Sequence, residues 1–333
     1  MWPWIKRISL LALLLVLLAA AGMRWYAHEP LQLRSDPARF SIKPGSSLKS
    51  ASRQIAESGI ELGAWQFVVL GRVLGKDADI KAGSYEVRQG ITPLALLDKL
   101  TAGEVTQTEI VFVEGWTFHQ LRAALDADRD VKHDTADLSD GEIMARLGAA
   151  GRSPEGLFFP DTYRFGKGTS DLDILKKAYE AMDKRLQAAW EQRAPGLPYR
   201  DPYQALIMAS VIEKETGRAG DRAMIAGVFV NRLRIGMMLQ TDPSVIYGLG
   251  DKFDGNLRKK DLRTDTPHNT YTRPGLPPTP IAMPGSASLH AALNPAKTSA
   301  LYFVARGDGT TEFSNTLAEH ARAVAKYQRK RKH

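Results

Sequence analysis

Residues 201–250 read DPYQALIMASVIEKETGRAGDRAMIAGVFVNRLRIGMMLQTDPSVIYGLG. Asp201 before Pro202 is an N-cap followed by a first-turn proline, and Gly217 is a stop signal, so the pattern predicts a helix over about 202–216. Successive helical residues turn by about 100°, which points Glu213 and Glu215 in nearly opposite directions. Only one of them can face a given cleft. Glu215 follows Met208, Val211 and Ile212 along the helix, whereas Glu213 follows Ala209 and Ser210. An apolar surround and the negative end of a helix dipole both disfavour a carboxylate, so both raise the pKa of Glu215, as a general acid requires. The plainer alternative is a partly exposed glutamate paired with Arg218 one turn on.

Upstream, three segments align without gaps: FSIKPGSSLKSASRQI (40–55), YEVRQGITPLALLDKL (85–100) and IVFVEGWTFHQLRAAL (110–125). Each alternates apolar residues before a glycine, then places Ser47, Thr92 or Thr117 two residues after it. Apolar residues follow at helical spacing: Ala51 and Ile55, Leu96 and Leu100, Leu121 and Leu125. A period of 2 that becomes 3.6 at a turn predicts strand, turn, helix. The expected fold class is therefore α+β, with a small module built from strand–helix units.

The N-terminus carries Lys6 and Arg7 ahead of ISLLALLLVLLAAAGM (8–23), flanked by Trp2, Trp4, Trp25 and Tyr26. That is a transmembrane anchor with interfacial aromatic residues, and its leading cations argue for a cytoplasmic N-terminus. Ala19-Ala20-Ala21 also resembles a leader cleavage site, but Arg24 and the bulky residues after it favour an uncleaved single-pass anchor. The expected organisation is a cytoplasmic tip and anchor (1–26), the small module (27–125), a polar connector (126–150) and a larger mixed α+β domain (151–333).

The chain has 333 residues, 44% of them hydrophobic, enough for two cored domains. Its 45 Lys+Arg against 37 Asp+Glu give +8, suited to anionic lipid or an anionic polymer. The absence of cysteine excludes disulfides and thiolate metal sites, and the seven histidines stand singly, so no metal or other cofactor is expected. Walker, Rossmann and GxSxG signatures are missing, and nothing in the basic charge has the context of a nucleic-acid reader. Residues 264–284, TDTPHNTYTRPGLPPTPIAMP, contain six prolines and predict a long ordered loop with Asn269, Tyr271 and Leu276 inside it. A helix, a hairpin and a basic C-terminal helix ending in KYQRKRKH complete the chain.

Taken together, EGLFFPDTY, ASVIEKETG, NRLRIGMMLQTDPSVIYGLG and NTYTRPGLPPTPIAMPGSASLHAALNPAKTSALYFVA resemble the YceG-like family of membrane-anchored endolytic murein transglycosylases over nearly the whole chain. The segment 40–105 also resembles a LysM-type βααβ module, a fold that binds N-acetylglucosamine polymers. The resemblance implies an extracytoplasmic, periplasmic lyase on the inner membrane that cuts nascent peptidoglycan strands internally and ends their elongation. Its partners would be the glycan strands themselves and glycan-polymerising penicillin-binding proteins. By position, the catalytic glutamate of the family falls on Glu215. Glu213, Gln240, Thr241, Asp242, Tyr247, Asn269, Tyr271, Asp161 and Tyr163 are the candidates for substrate contact or support. Each has a structural alternative, Asp242 as a helix cap and Tyr247 as a core aromatic among them. The rival functions are a non-catalytic peptidoglycan-binding scaffold that recruits synthases, and a hydrolase pairing Glu215 with Asp161 or Asp242.

Overall fold

The structure, a computed structural model, describes residues 3–328; Trp2 of the aromatic flank and residues 329–333 of the basic tail lie outside them. The architecture is mixed α+β, and among the described residues every sheet is a two-stranded pair. The chain forms two compact units, one of residues up to Glu109 with Arg164–Thr169, the other of Ile110–Tyr163 with Ser170 onward.

The first unit begins with α1 (Pro3–His28), whose 22-residue segment Arg7–His28 holds an 18-residue window of mean hydropathy 2.1, long and apolar enough to cross a membrane. After it come β1 (Ala38–Ile42), α2 (Leu48–Glu57), α3 (Ala64–Val73), β2 (Gly83–Val87), α4 (Pro93–Ala102) and β3 (Gln107–Val111). β1 and β2 pair antiparallel, with Phe40 opposite Tyr85 and their rings stacked at 5.5 Å. The end of α1 is part of this core: Ala27 is buried in it, as is Leu31 just beyond the helix, and Met23 and Tyr26 pack against it. Truncation at about residue 27 would therefore strip packing from the unit as well as the anchor.

The strand–turn–helix units form as the spacing predicts. Ser47, Thr92 and Thr117 are the N-caps of α2, α4 and α5 (Phe118–Ala127), accepting from the backbone N–H groups of Ser50, Ala95 and Gln120. The turn glycines Gly45, Gly90 and Gly115 all have positive φ, between 75° and 95°.

The unit boundary lies at 109 rather than 125, because the third of these repeats packs into the second unit. Phe112 lies against Tyr163 at 5.1 Å and Phe118 stacks on Phe158 at 4.9 Å. The expected connector, 126–150, also belongs to that unit. It forms β4 (Val131–Lys132) and α6 (Asp140–Arg146), and it buries Val131, Ile143 and Met144. Buried Asp171 ties it there, accepting from the Asp134 and Thr135 backbone N–H groups and from the Thr135 hydroxyl.

The rest of the second unit comprises β5 (Thr162–Gly166, shared with the first unit), β6 (Thr169–Ser170), α7 (Asp171–Glu191), α8 (Pro202–Glu215), α9 (Arg222–Arg234), α10 (Asp242–Leu249), α11 (Lys259–Arg263), α12 (Ser286–Leu293), the hairpin β7 (Tyr302–Ala305) and β8 (Thr311–Ser314), and α13 (Leu317–Tyr327). α8 is its centre. Every residue from Ala205 to Ile212 is buried, with α7, α9, α10 and α12 packed around the helix. α9 approaches the chain after α12 so closely at Gly227 that a Cβ there would lie 2.6 Å from the Ala296 carbonyl oxygen.

Candidate active site

Asp201 caps α8 by accepting from the Gln204 N–H at 2.9 Å, which fixes where the helix starts and hence which way its last residues point. Glu215 is the final helical residue, half-buried at the end of an open cleft of about 890 Å³. The two glutamates do face different surroundings. Glu213, its side chain 7% exposed, meets Arg222 of α9 at 3.6 Å and accepts from the Gly285 N–H at 2.9 Å, joining the beginnings of α9 and α12. Arg218 donates to the Gly309 carbonyl, not to Glu215.

The support of Glu215 comes from the turn before α10. Gln240 has φ +50°, a left-handed conformation uncommon outside glycine, and its N–H donates to the Thr270 carbonyl. The next residue, Thr241, is buried and donates its hydroxyl to Glu215 Oε2 at 2.8 Å. The Thr241 N–H is itself held by Thr270 Oγ1 at 3.0 Å, and the Ser244 hydroxyl bridges Thr270 Oγ1 and the Thr241 carbonyl, each at 2.8 Å. The donor is thus locked in place before any ligand arrives.

Burial raises the pKa of Glu215, and the charge of Asp242 adds to the rise; the Thr241 hydroxyl and the Arg232 guanidinium oppose it. Arg232 is a buried cation that sequence reasoning missed. It donates to the carbonyls of Leu301 and Leu239, both at 2.7 Å, and lies over the Tyr302 ring. Its signal in the sequence was a charge within the otherwise apolar face of α9, where Ile225 to Val230 are all buried.

The other candidates separate into groups. Gln240, Asp242 and Tyr271 line the cleft with Glu215, and the Tyr271 hydroxyl donates to Asp242 Oδ1. Asp242 is the first residue of α10, not its cap, because Thr241 occupies that position. Asn269 is fully buried: its amide nitrogen donates to the carbonyls of Asp261, Leu262 and Thr264, and its oxygen accepts from the Tyr271 N–H. It braces the proline-rich loop. Tyr163 donates to the Phe159 carbonyl at 2.7 Å, and the exposed Asp161 meets Arg185 at 3.4 Å; neither lines the cleft.

Tyr247 leads to a second residue the sequence did not single out. Its hydroxyl donates to Glu155 Oε2 at 3.1 Å, and Glu155 also accepts from the Phe118 N–H at the start of α5. Burial pushes the Glu155 carboxyl up to about 7. The next residue has to be glycine, since Gly156 has φ +75° and a Cβ there would sit 2.4 Å from Pro280. Tyr302 and His320, which also line the cleft, stack at 5.2 Å.

A shielded carboxyl with a raised pKa, held by one fixed donor in an open cleft lined with aromatic and amide groups, is suited to general-acid chemistry on a polymer. The chain belongs to the YceG-like family, whose profile matches residues 40–326. It is 33% identical over 308 residues to the endolytic murein transglycosylase of Bacillus subtilis, covering 86% of this chain and 84% of that one. To the endolytic murein transglycosylase of Streptococcus pneumoniae it is 26% identical over an alignment of 356 positions, gaps included, that covers 94% of this chain and 63% of that one. The crystal structure of a YceG-like protein from Listeria monocytogenes matches with a TM-score of 0.57 and 31% identity, over 86% of this chain and 98% of that one.

Proposed function

We propose that this protein is a membrane-anchored endolytic lytic transglycosylase of peptidoglycan, a lyase with Glu215 as its acid and base. The observation that carries the reading is the Glu215 carboxyl in the cleft, its pKa raised by burial and its Oε2 held by Thr241. In its neutral form Glu215 protonates the oxygen of the β-1,4 bond between N-acetylmuramic acid and N-acetylglucosamine as an oxocarbenium-like state develops. As carboxylate it then takes the proton of the muramic acid C6 hydroxyl, which closes on C1 to give a 1,6-anhydro end. No water is consumed. An internal hydroxyl has a high effective molarity, so an opposed second carboxylate is not needed.

The buried Arg232 favours the ionised Glu215 of the second step, while burial and Asp242 favour the neutral form of the first. Gln240 and Tyr271 supply hydrogen-bonding groups for sugar hydroxyls and acetamido groups. Cutting within nascent strands would end their elongation, with glycan-polymerising penicillin-binding proteins as the natural neighbours. The first unit, with its β–α–α–β order, is the LysM-like element that would hold the strand, and α1 is the anchor of a periplasmic protein on the inner membrane with its N-terminus inside.

The test is to incubate the full chain, in detergent, with uncrosslinked glycan strands and to identify the product ends by mass spectrometry beside Glu215→Gln. Internal fragments with anhydro-muramic ends, absent from the variant, are the expected result. Reducing ends would make the protein a hydrolase, and intact but bound strands would make it a scaffold.

A further inference from the structure

α3 buries one side and leaves an apolar stripe on the other. Phe67, Leu70 and Gly71 face the core, whereas Trp65 is 68% exposed, Val73 is 72% exposed, and Val69 is exposed between them. These three residues are spaced i, i+4, i+8, so they form one line along the helix. An exposed apolar line headed by tryptophan marks a contact surface rather than ordinary solvated surface.

What covers it follows from the connection to α1. α1 continues unbroken to His28 and enters the core of the same unit without a linker, through Met23, Tyr26 and Ala27. The Tyr26 hydroxyl donates to the carbonyl of Gly63, the residue that precedes α3, at 3.2 Å. The uncharged, largely apolar stretch of α1, Ile8–Met23, is 16 residues. That is about 24 Å of helix against about 30 Å of hydrocarbon, so the residues just beyond it are drawn to the membrane surface. Tyr26 lies there, and with it the start of α3. Trp25 is as exposed as Trp65; exposed Arg24 directly precedes Trp25, and exposed Arg72 directly precedes Val73. Tryptophan with arginine is the composition of an interfacial layer over anionic headgroups.

We infer that the Trp65–Val69–Val73 face of α3 lies in the interfacial layer of the bilayer that α1 crosses, giving the first unit a second membrane contact beside the anchor. The inference rests on α1 spanning the membrane. Two attachments on one rigid unit hold it at a fixed tilt, where a single helix would leave it free to swivel.

The chain has no cysteine, so a single introduced thiol labels cleanly. Full-length Leu14→Cys, Val69→Cys, Val73→Cys and Glu104→Cys are labelled with an environment-sensitive fluorophore and reconstituted in phosphatidylethanolamine–phosphatidylglycerol vesicles. Exposed Glu104 lies beyond the far end of α4 from Ile91, whose carbonyl accepts from the Leu31 N–H. Labels at 69 and 73 are expected to emit further to the blue than the label at 104 and to be quenched at least twofold more by headgroup-proximal nitroxide lipid; label 14 should respond to deep nitroxide. A label at 69 as wet as that at 104, with 14 still in lipid, overturns the inference and leaves the anchor standing. A wet label at 14 removes the anchor reading itself. A blue-shifted label at 69 that ignores nitroxide lipid and depends on protein density assigns the face to a second copy of the chain, and also overturns it.

Discussion

The Thr241 hydroxyl donates to Glu215 Oε2 at 2.8 Å, joining the N-cap of α10 to the last residue of α8. A donated hydrogen bond favours the carboxylate, so this contact holds the pKa of Glu215 below the level burial alone would set. Removing it in Thr241→Val should raise that pKa further. The alkaline limb of the rate profile, where Glu215 loses its proton, should move to higher pH, with kcat falling roughly tenfold through lost orientation. A pH series of strand cleavage rates checks both; an unmoved limb would show that another group governs it.

Glu215→Gln keeps the size and the hydrogen bond to Thr241 but cannot transfer a proton. Cleavage should fall by about a hundredfold to ten-thousandfold while the thermal midpoint changes little. Mass spectrometry of products and a melt of the same preparation separate chemistry from folding.

Glu213 should behave in the opposite way. Glu213→Ala leaves the largely buried Arg222 without its carboxylate and the Gly285 N–H without its acceptor. The cost should be about 2–4 kcal/mol of stability, with the activity of the folded fraction nearly retained. Glu213→Gln can still accept from Gly285 and should recover part of the loss, as denaturant titration would reveal.

Glu155 sets a pH dependence of stability. Its carboxyl lies at about 7 in the folded protein against an ordinary value of 4.5, so between these the native state binds more protons than the unfolded chain. Stability should therefore be greatest below about pH 4.5 and fall as pH rises toward 7, by about 3 kcal/mol from this group alone. In Glu155→Gln the difference between melts at pH 5 and pH 8 should shrink. An equal pH difference in both proteins would assign the dependence to other groups.

The sequence by itself determined what local rules govern. Capping residues and periodicity located the strand–turn–helix units, because Ser47, Thr92 and Thr117 satisfy orphan N–H groups within three residues of themselves. The 3.6-residue turn alone settled that Glu213 and Glu215 diverge, and apolar length alone marked α1 as able to span a membrane. Where the polar sequence of 126–150 suggested a connector, the burial of Asp171 draws its backbone into the second unit. The partners of the site were equally illegible. Thr241 reaches Glu215 from 26 positions away and Tyr247 reaches Glu155 from 92, and no local spacing encodes such contacts. Asn269, prominent in its motif, is consumed by backbone carbonyls of its own loop, a fate set by which groups that loop leaves unpaired. A carboxyl's place on a helix is a property of the chain, but its pKa depends on the desolvation and charges around it, and only tertiary packing supplies those.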